Sequence, residues 1–263
     1  MNCKNCNFSL RTDYSFCPNC GAKVIHGRIT FKGLVHDFVE RYFNVDNTFI
    51  RTITHMLIKP EVVILGYLNG IRRKYLNPAS LLAIALTLSG LTLFVMKSYA
   101  WEMIDFELIN GNGSAEANRK MSAANMEYST FIFLGYIPIL ALSGLIALNV
   151  KRLSYVENIL AAIYILANYS IFMFPVSLVA LFAIPKYYLL IATLGLLTMA
   201  TYSVYVYWRL NTETGIGTRL VQAMAFLMLY VMGFFGLSIV TFIINLLLGV
   251  IEIKDFLPPG ALD

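Results

Sequence analysis

Cys3, Cys6, Cys17 and Cys20 are the chain's four cysteines, and all precede Gly21. They read C-x2-C-x10-C-x2-C, with Pro18 inside the second pair. A two-residue spacer lets one tight turn aim two thiolates at a single ion while backbone N–H groups steady the sulfurs. Two such turns complete a tetrahedral four-thiolate zinc site with Zn–S near ~2.3 Å. Filled by four thiolates, the site keeps no open position for water or substrate, so the zinc is expected to be structural. A redox dithiol is the competing reading, but one reactive pair would not need a twin. So short a stretch cannot bury a core, and metal binding and folding are expected to be one event. His26 is surplus to a filled site and reads as surface.

Elsewhere chemistry is sparse. All three histidines precede residue 56, and no Ser/His/Asp set, carboxylate pair or Gly-rich phosphate loop occurs, so an enzyme is not expected. His36 and Glu40, one helical turn apart, read as a solvated pair rather than a metal site. The polar residues inside or beside apolar runs are Glu157, Tyr164, Asn168 and Asn245, with Tyr169, Ser170, Thr193, Thr198 and Thr201. Glu157, Tyr164, Asn168 and Asn245 form a possible polar membrane site. The blander reading is bonding between helices, worth about 0.6 kcal/mol on average. Tyr202, Tyr205, Tyr207 and Trp208 close an apolar run and read as an interfacial belt.

These groups need elements to hold them, and composition names the class. The 263 residues are 58% hydrophobic and 13% charged, where a soluble domain carries roughly 25% charge. Mean hydropathy is +0.68. The expected fold is an all-α polytopic membrane protein with an N-terminal zinc ribbon at 1–25 and a basic amphipathic connector at 26–78. A helical bundle at 79–252 follows, then a tail at 253–263. A crossing takes about 20 apolar residues. Five runs qualify: 79–96, 129–149, 158–184, 187–210 and 220–251, with an extracytoplasmic loop at 97–128. Pro175 is placed to kink the third, and Gly233-Phe234-Phe235-Gly236 to bend or closely pack the fifth.

In the connector, Phe31, Leu34, Val35, Phe38, Val39, Tyr42 and Phe43 recur at helical spacing and form one apolar stripe. A second helix is expected from Thr48 to Pro60 and a third from Pro60 to Leu68, stopped by Asn69-Gly70. Arg72, Arg73 and Lys74 follow. Such helices suit the headgroup layer; the alternative is a small helical subdomain packing on itself. Up to Pro78 there are 11 Lys/Arg against 5 Asp/Glu, and after it 9 against 10. The 97–128 loop is net negative, whereas Lys151-Arg152 ends the second run, so positive-inside places the N-terminus in the cytosol and the C-terminus in the periplasm. With no apolar signal stretch at the start and cysteines spaced for metal, a reducing cytosolic compartment is expected for the ribbon. Nucleic acid is not an expected partner, because the basic residues are dispersed and no base-stacking platform appears.

Three stretches, FCPNCG (16–21), RITFKGLVHDF (28–38) and KPEVVILGYLNGIRRKYLNP (59–78), resemble an uncharacterised bacterial inner-membrane family filed under a domain of unknown function. KRLSYVEN (151–158) resembles a further step in which a histidine follows the glutamate; here Asn158 stands in its place, and Tyr164 replaces a second one. The resemblance implies a ribbon, an amphipathic connector and a helical membrane part, and supplies no activity. The expected role is an accessory or adaptor protein of the inner membrane. Its ribbon would dock a cytosolic or membrane partner, or a second copy, within a larger complex in the lipid bilayer. The alternative is a small-molecule or lipid transporter or channel with a polar cavity near Asn168.

Overall fold

A computed structural model describes residues 2–3, 5–21, 24, 48–106, 115–148, 153–211 and 215–251. The expected helix through Phe31 and Phe43, with His36 and Glu40, lies outside the described residues, as do His26, Lys151-Arg152 and the tail. The chain divides into two units, residues 1–47 and 48–263.

The second unit has eight α-helices and no strand among the described residues. Helix α1 (Thr48–Ile58) ends because Pro60 lacks an N–H. Helix α2 (Pro60–Leu68) starts on that proline, already set to helical φ. It stops where Gly70 takes φ +90 and Ile71 N–H reaches back to the Gly66 carbonyl at 2.9 Å. Helix α3 (Pro78–Val95) is capped by Asn77, whose Oδ1 accepts from the Ser80 N–H at 2.7 Å. It runs on through a wider π turn at Met96–Ala100 and a short 3-10 turn at Trp101–Met103. Helix α4 (Ala115–Glu127) falls within the expected loop. Helices α5 (Ser129–Ala147), α6 (Tyr155–Ala183), α7 (Tyr188–Leu210) and α8 (Ile216–Leu247) complete the bundle.

Five helices are long and apolar enough to cross a membrane: Pro78–Met103, Ser129–Ala147, Tyr155–Ala183, Pro185–Leu210 and Ile216–Leu247. The chain is an all-α, multi-pass membrane protein. Helix α6 continues through Pro175 and lies at the centre, packed against α3, α5 and α7, while α8 packs on α5 and α7. Of its most apolar stretch 39% is buried, against 6% for α8, whose remaining apolar surface is left for lipid. At 32 residues, α8 spans roughly 48 Å.

Two glycines allow the closest approaches. A Cβ on Gly144 would lie 2.2 Å from the Tyr207 ring tip, and one on Gly233 would lie 2.5 Å from Ile139 Cγ2. Gly233 therefore packs α8 onto α5, whereas Gly236 faces open space. Tyr207 is 2% exposed against this glycine, so the expectation that it belongs to an interfacial belt is corrected: the missing Cβ makes room for a buried ring.

Helices α1 and α2 join the core of the bundle. Met56, Val63, Ile64 and Tyr75 belong to the same buried cluster as Tyr164 and Tyr207, with α2 packed on α6 and α7. Their outward faces keep Ile50, Ile58 and Val62 exposed. At the opposite end of the spans, Met96, Ala100, Ile104, Phe106 and Leu181 form a small separate core. There Lys186 pairs with Asp105 at 4.0 Å.

Candidate metal centre and polar groups of the bundle

The described residues of the first unit form turns that bring the cysteines together. An antiparallel bridge joins Asn2 to Ser9, and the Cys3 N–H donates to the Phe8 carbonyl at 2.9 Å. Asn7 takes φ 58 to close this turn, a conformation that asparagine tolerates. In the second turn the Gly21 N–H donates to the Cys17 carbonyl at 2.8 Å, with Gly21 at φ 72. Among the described residues, Leu10 joins the sulfurs in a small core, with Tyr14 and Val24 against it.

The four Sγ atoms lie within 4.8 Å of one another. Cys3 Sγ is 3.7 Å from Cys20 Sγ, and Cys6 Sγ is 3.6 Å from Cys17 Sγ. A tetrahedron with metal–sulfur bonds of ~2.3 Å has edges of about 3.8 Å, so these distances suit one four-coordinate ion. The Asn19 side-chain amide approaches Cys6 Sγ at 3.7 Å, and a donor of this kind steadies a thiolate. Burial pushes the Cys17 thiol up to about 11, while the backbone N–H groups of Cys20 and Asn19 pull it down. A cation among the sulfurs reverses the first effect and is helped by the second. The cluster is a candidate metal centre.

The polar residues of the bundle are dispersed. Glu157 sits in a capping box at the start of α6: its carboxylate accepts from the Ser154 N–H at 2.6 Å, and the Ser154 hydroxyl accepts from the Glu157 N–H at 3.3 Å. Tyr164, wholly buried, donates to the Leu76 carbonyl at 2.8 Å and ties α6 to the segment before α3. Asn168, 0% exposed, donates through Nδ2 to the Tyr202 hydroxyl at 3.0 Å. Asn245 instead bonds Asn125 Oδ1 at 3.1 Å, joining α8 to α4, whereas the other three lie on α6. Glu157, Tyr164, Asn168 and Asn245 are therefore not brought into one site. Asn158, where a histidine stands in the resembled family, is 1% exposed and donates to the carbonyls of Leu153 and Ser154 at 3.2 and 3.0 Å.

Asn168 lines neither of the two recesses next to it. An apolar one of about 350 Å³ touches Tyr169 and Tyr202, and a larger one of about 580 Å³ begins at Ser170. Sequence reasoning missed the second, because its serine and threonine hydroxyls are gathered from five separate helices. It also missed the partners of Tyr202 and Tyr205, which donate to the carbonyls of Met56 and Leu57 at 3.0 and 2.9 Å. Arg209 adds two bonds to Glu61, at 2.7 and 3.1 Å. The only sequence signal was the spacing of Tyr202, Tyr205 and Arg209 along one helical face.

The model of a family of proteins of unknown function, DUF3667, matches residues 46–90. That stretch comprises α1, α2, the Tyr164-anchored turn and the first part of α3, and contains one of the resembling stretches, KPEVVILGYLNGIRRKYLNP (59–78). No curated protein and no solved structure matches the chain.

Proposed function

We propose that the chain is an integral accessory protein of a bacterial inner membrane, whose zinc-folded ribbon docks a cytosolic or membrane partner. The observation that carries the reading is the closed set of sulfurs, which gives an ion four ligands and leaves no position for substrate. An ion held this way shapes a surface rather than performing a reaction. Phe8 and Phe16 are 43% and 55% exposed on that surface, and aromatic residues of this kind anchor protein interfaces. Zinc is favoured over other ions by four soft thiolates in tetrahedral array.

The N-terminus is assigned to the cytosol. Arg51, Lys59, Arg72, Arg73, Lys74 and Arg219 gather at the end of the bundle that carries α1 and α2. At the other end Lys186 and Arg119 face Asp105 and Glu102 respectively. The positive-inside rule then puts the α1–α2 end inside. An enzymatic role is not part of this proposal.

The test is purification of the full chain in mild detergent, with metal analysis and chemical crosslinking in cells beforehand. One zinc per chain is expected, together with a crosslinked partner that is lost in Cys17→Ser and in the Phe8→Ser/Phe16→Ser pair. A chain that holds zinc but captures the same proteins in all three forms would end the docking proposal.

A further inference from the structure

The larger cavity lies in the half of the bundle remote from α1 and α2, and every span contributes to its wall. Its volume is about 580 Å³, within the range of small-molecule sites. Among the described residues its lining carries no charged side chain and many hydroxyls. Ser89 and Ser170 face each other across α3 and α6 at 3.2 Å. Thr92, Ser238 and Thr241 donate to carbonyls of their own helices at 3.1, 2.9 and 2.9 Å, leaving their oxygens as acceptors. Asn245 is 1% exposed behind the wall residue Asn125; its Nδ2 donates to Asn125 Oδ1, and its own Oδ1 has no partner among the described residues.

Each part of this wall selects chemistry. Oxygens whose protons are committed elsewhere call for a donor. An ammonium group is a donor, but no carboxylate lines the cavity to offset its charge away from water. A phosphate would need guanidinium or ammonium partners, also absent from the described lining. A neutral hydroxyl meets both conditions. The rest of the lining is aliphatic and aromatic, including Leu86, Phe133, Phe174 and Leu196. Gly90 and Ser238 on the wall are exposed, so the cavity is not sealed.

We propose that this cavity binds an uncharged, hydroxyl-headed amphiphile of the diacylglycerol class, its hydroxyl among Ser89, Ser170 and Ser238 and its chains on the apolar wall. The proposal does not depend on the metal centre.

The test uses the full chain in phosphatidylcholine nanodiscs containing, in turn, diacylglycerol, phosphatidylglycerol or phosphatidylcholine with a diazirine in one acyl chain. After irradiation, labelled positions are mapped by mass spectrometry. The diacylglycerol probe is expected to label the wall residues Phe174 and Leu237, and the other two only outward residues such as Met228, Met232, Phe235 and Ile239. A Cβ on the wall residue Gly90 would meet nothing within 4 Å, so Gly90→Phe adds a ring there, and Ala192→Leu fills the cavity from another helix. Either plug should reduce wall labelling about tenfold while Met228 and Met232 stay labelled, which shows that the variant is inserted. Equal wall labelling by all three probes, no wall labelling by diacylglycerol, or wall labelling indifferent to both plugs would each overturn the proposal.

Discussion

The Tyr205 hydroxyl donates to the Leu57 carbonyl at 2.9 Å, across 148 residues of sequence. It also reaches the Ile58 carbonyl at 3.2 Å. The last carbonyls of any helix lack donors within it, and Pro60 has no N–H to offer the end of α1. Helix α7 supplies the donors instead: Tyr202 to Met56, Tyr205 to Leu57 and Arg209 Nη2 to Ile58 at 3.4 Å. At the buried end of this set, where Met56 is 0% exposed, leaving a carbonyl bare would be costly. The bonds hold a segment matched by the family model onto a span outside that match.

Removing one hydroxyl should therefore loosen α1 without disturbing the bundle. Tyr205→Phe is expected to lower stability by about 1 kcal/mol and Tyr202→Phe by about 2 kcal/mol. The second costs more because it also strands the Asn168 amide, whose Oδ1 already lacks a partner among the described residues. Thermal unfolding in detergent, followed by tryptophan fluorescence, reads both. Equal melting temperatures for Tyr202→Phe and the parent chain would contradict the capping account.

Arg209 and Glu61 make a two-bond ion pair with side chains 41% and 24% exposed. Water reaches it, so its contribution is modest. A double-mutant cycle with Glu61→Gln and Arg209→Gln should give a coupling of about 0.5–1 kcal/mol. Raising the salt from about 0.1 to about 1 M should shrink it. A coupling of zero at low salt would show that packing alone holds α2 on α7.

Which parts of this arrangement were legible depended on whether the cause was local. The caps and stops at Pro60, Gly70 and Asn77 follow from the chemistry of single residues, and the helices lie where those residues put them. Long apolar runs name spans for the same reason, and the cysteine spacing brought four sulfurs into one cluster. Pairings across the fold were not legible. Apolar periodicity says which face of α7 is greasy but not that Tyr202 and Tyr205 point at carbonyls, and a tyrosine near a helix end looks the same in a belt as in a cap. Nor were the partners of Glu157, Tyr164, Asn168 and Asn245 legible, since each of these polar residues answers to a different neighbour. Ser89 and Ser170 meet only because α3 and α6 pack together.

The two close-approach glycines give a contrast with Gly236. Gly144→Ala drives a methyl group into a rigid buried ring, and Gly233→Ala drives one into the β-branched Ile139, neither of which moves easily. Each should cost about 1–3 kcal/mol by overpacking. Gly236→Ala meets open space and should be neutral or slightly stabilising through better helix propensity. The checking measurement is resistance to denaturation in mixed micelles. Similar losses for all three alanines would mean that the interfaces yield more than these contacts imply.

Metal binding at the ribbon should depend on pH in a fixed direction. The ion binds thiolates, so uptake releases protons, and lowering the pH favours the ion-free, protonated form. Without a cation the Cys17 thiol lies at about 11, so at neutral pH it holds a proton that the ion must displace. Each thiol deprotonated on binding weakens affinity by up to about tenfold per pH unit as pH falls. Competition of the full chain against a chromophoric chelator, at about pH 7.5 and about pH 6, should show zinc held far more weakly at the lower value. Cys17→Ser should leave little binding at either, because a neutral hydroxyl replaces a thiolate in a set of four. Chelation should disorder the ribbon and leave the helical circular dichroism of the bundle intact, since residues 1–47 form a separate unit. Zinc affinity flat across that pH interval would show that the sulfurs are not the ligands.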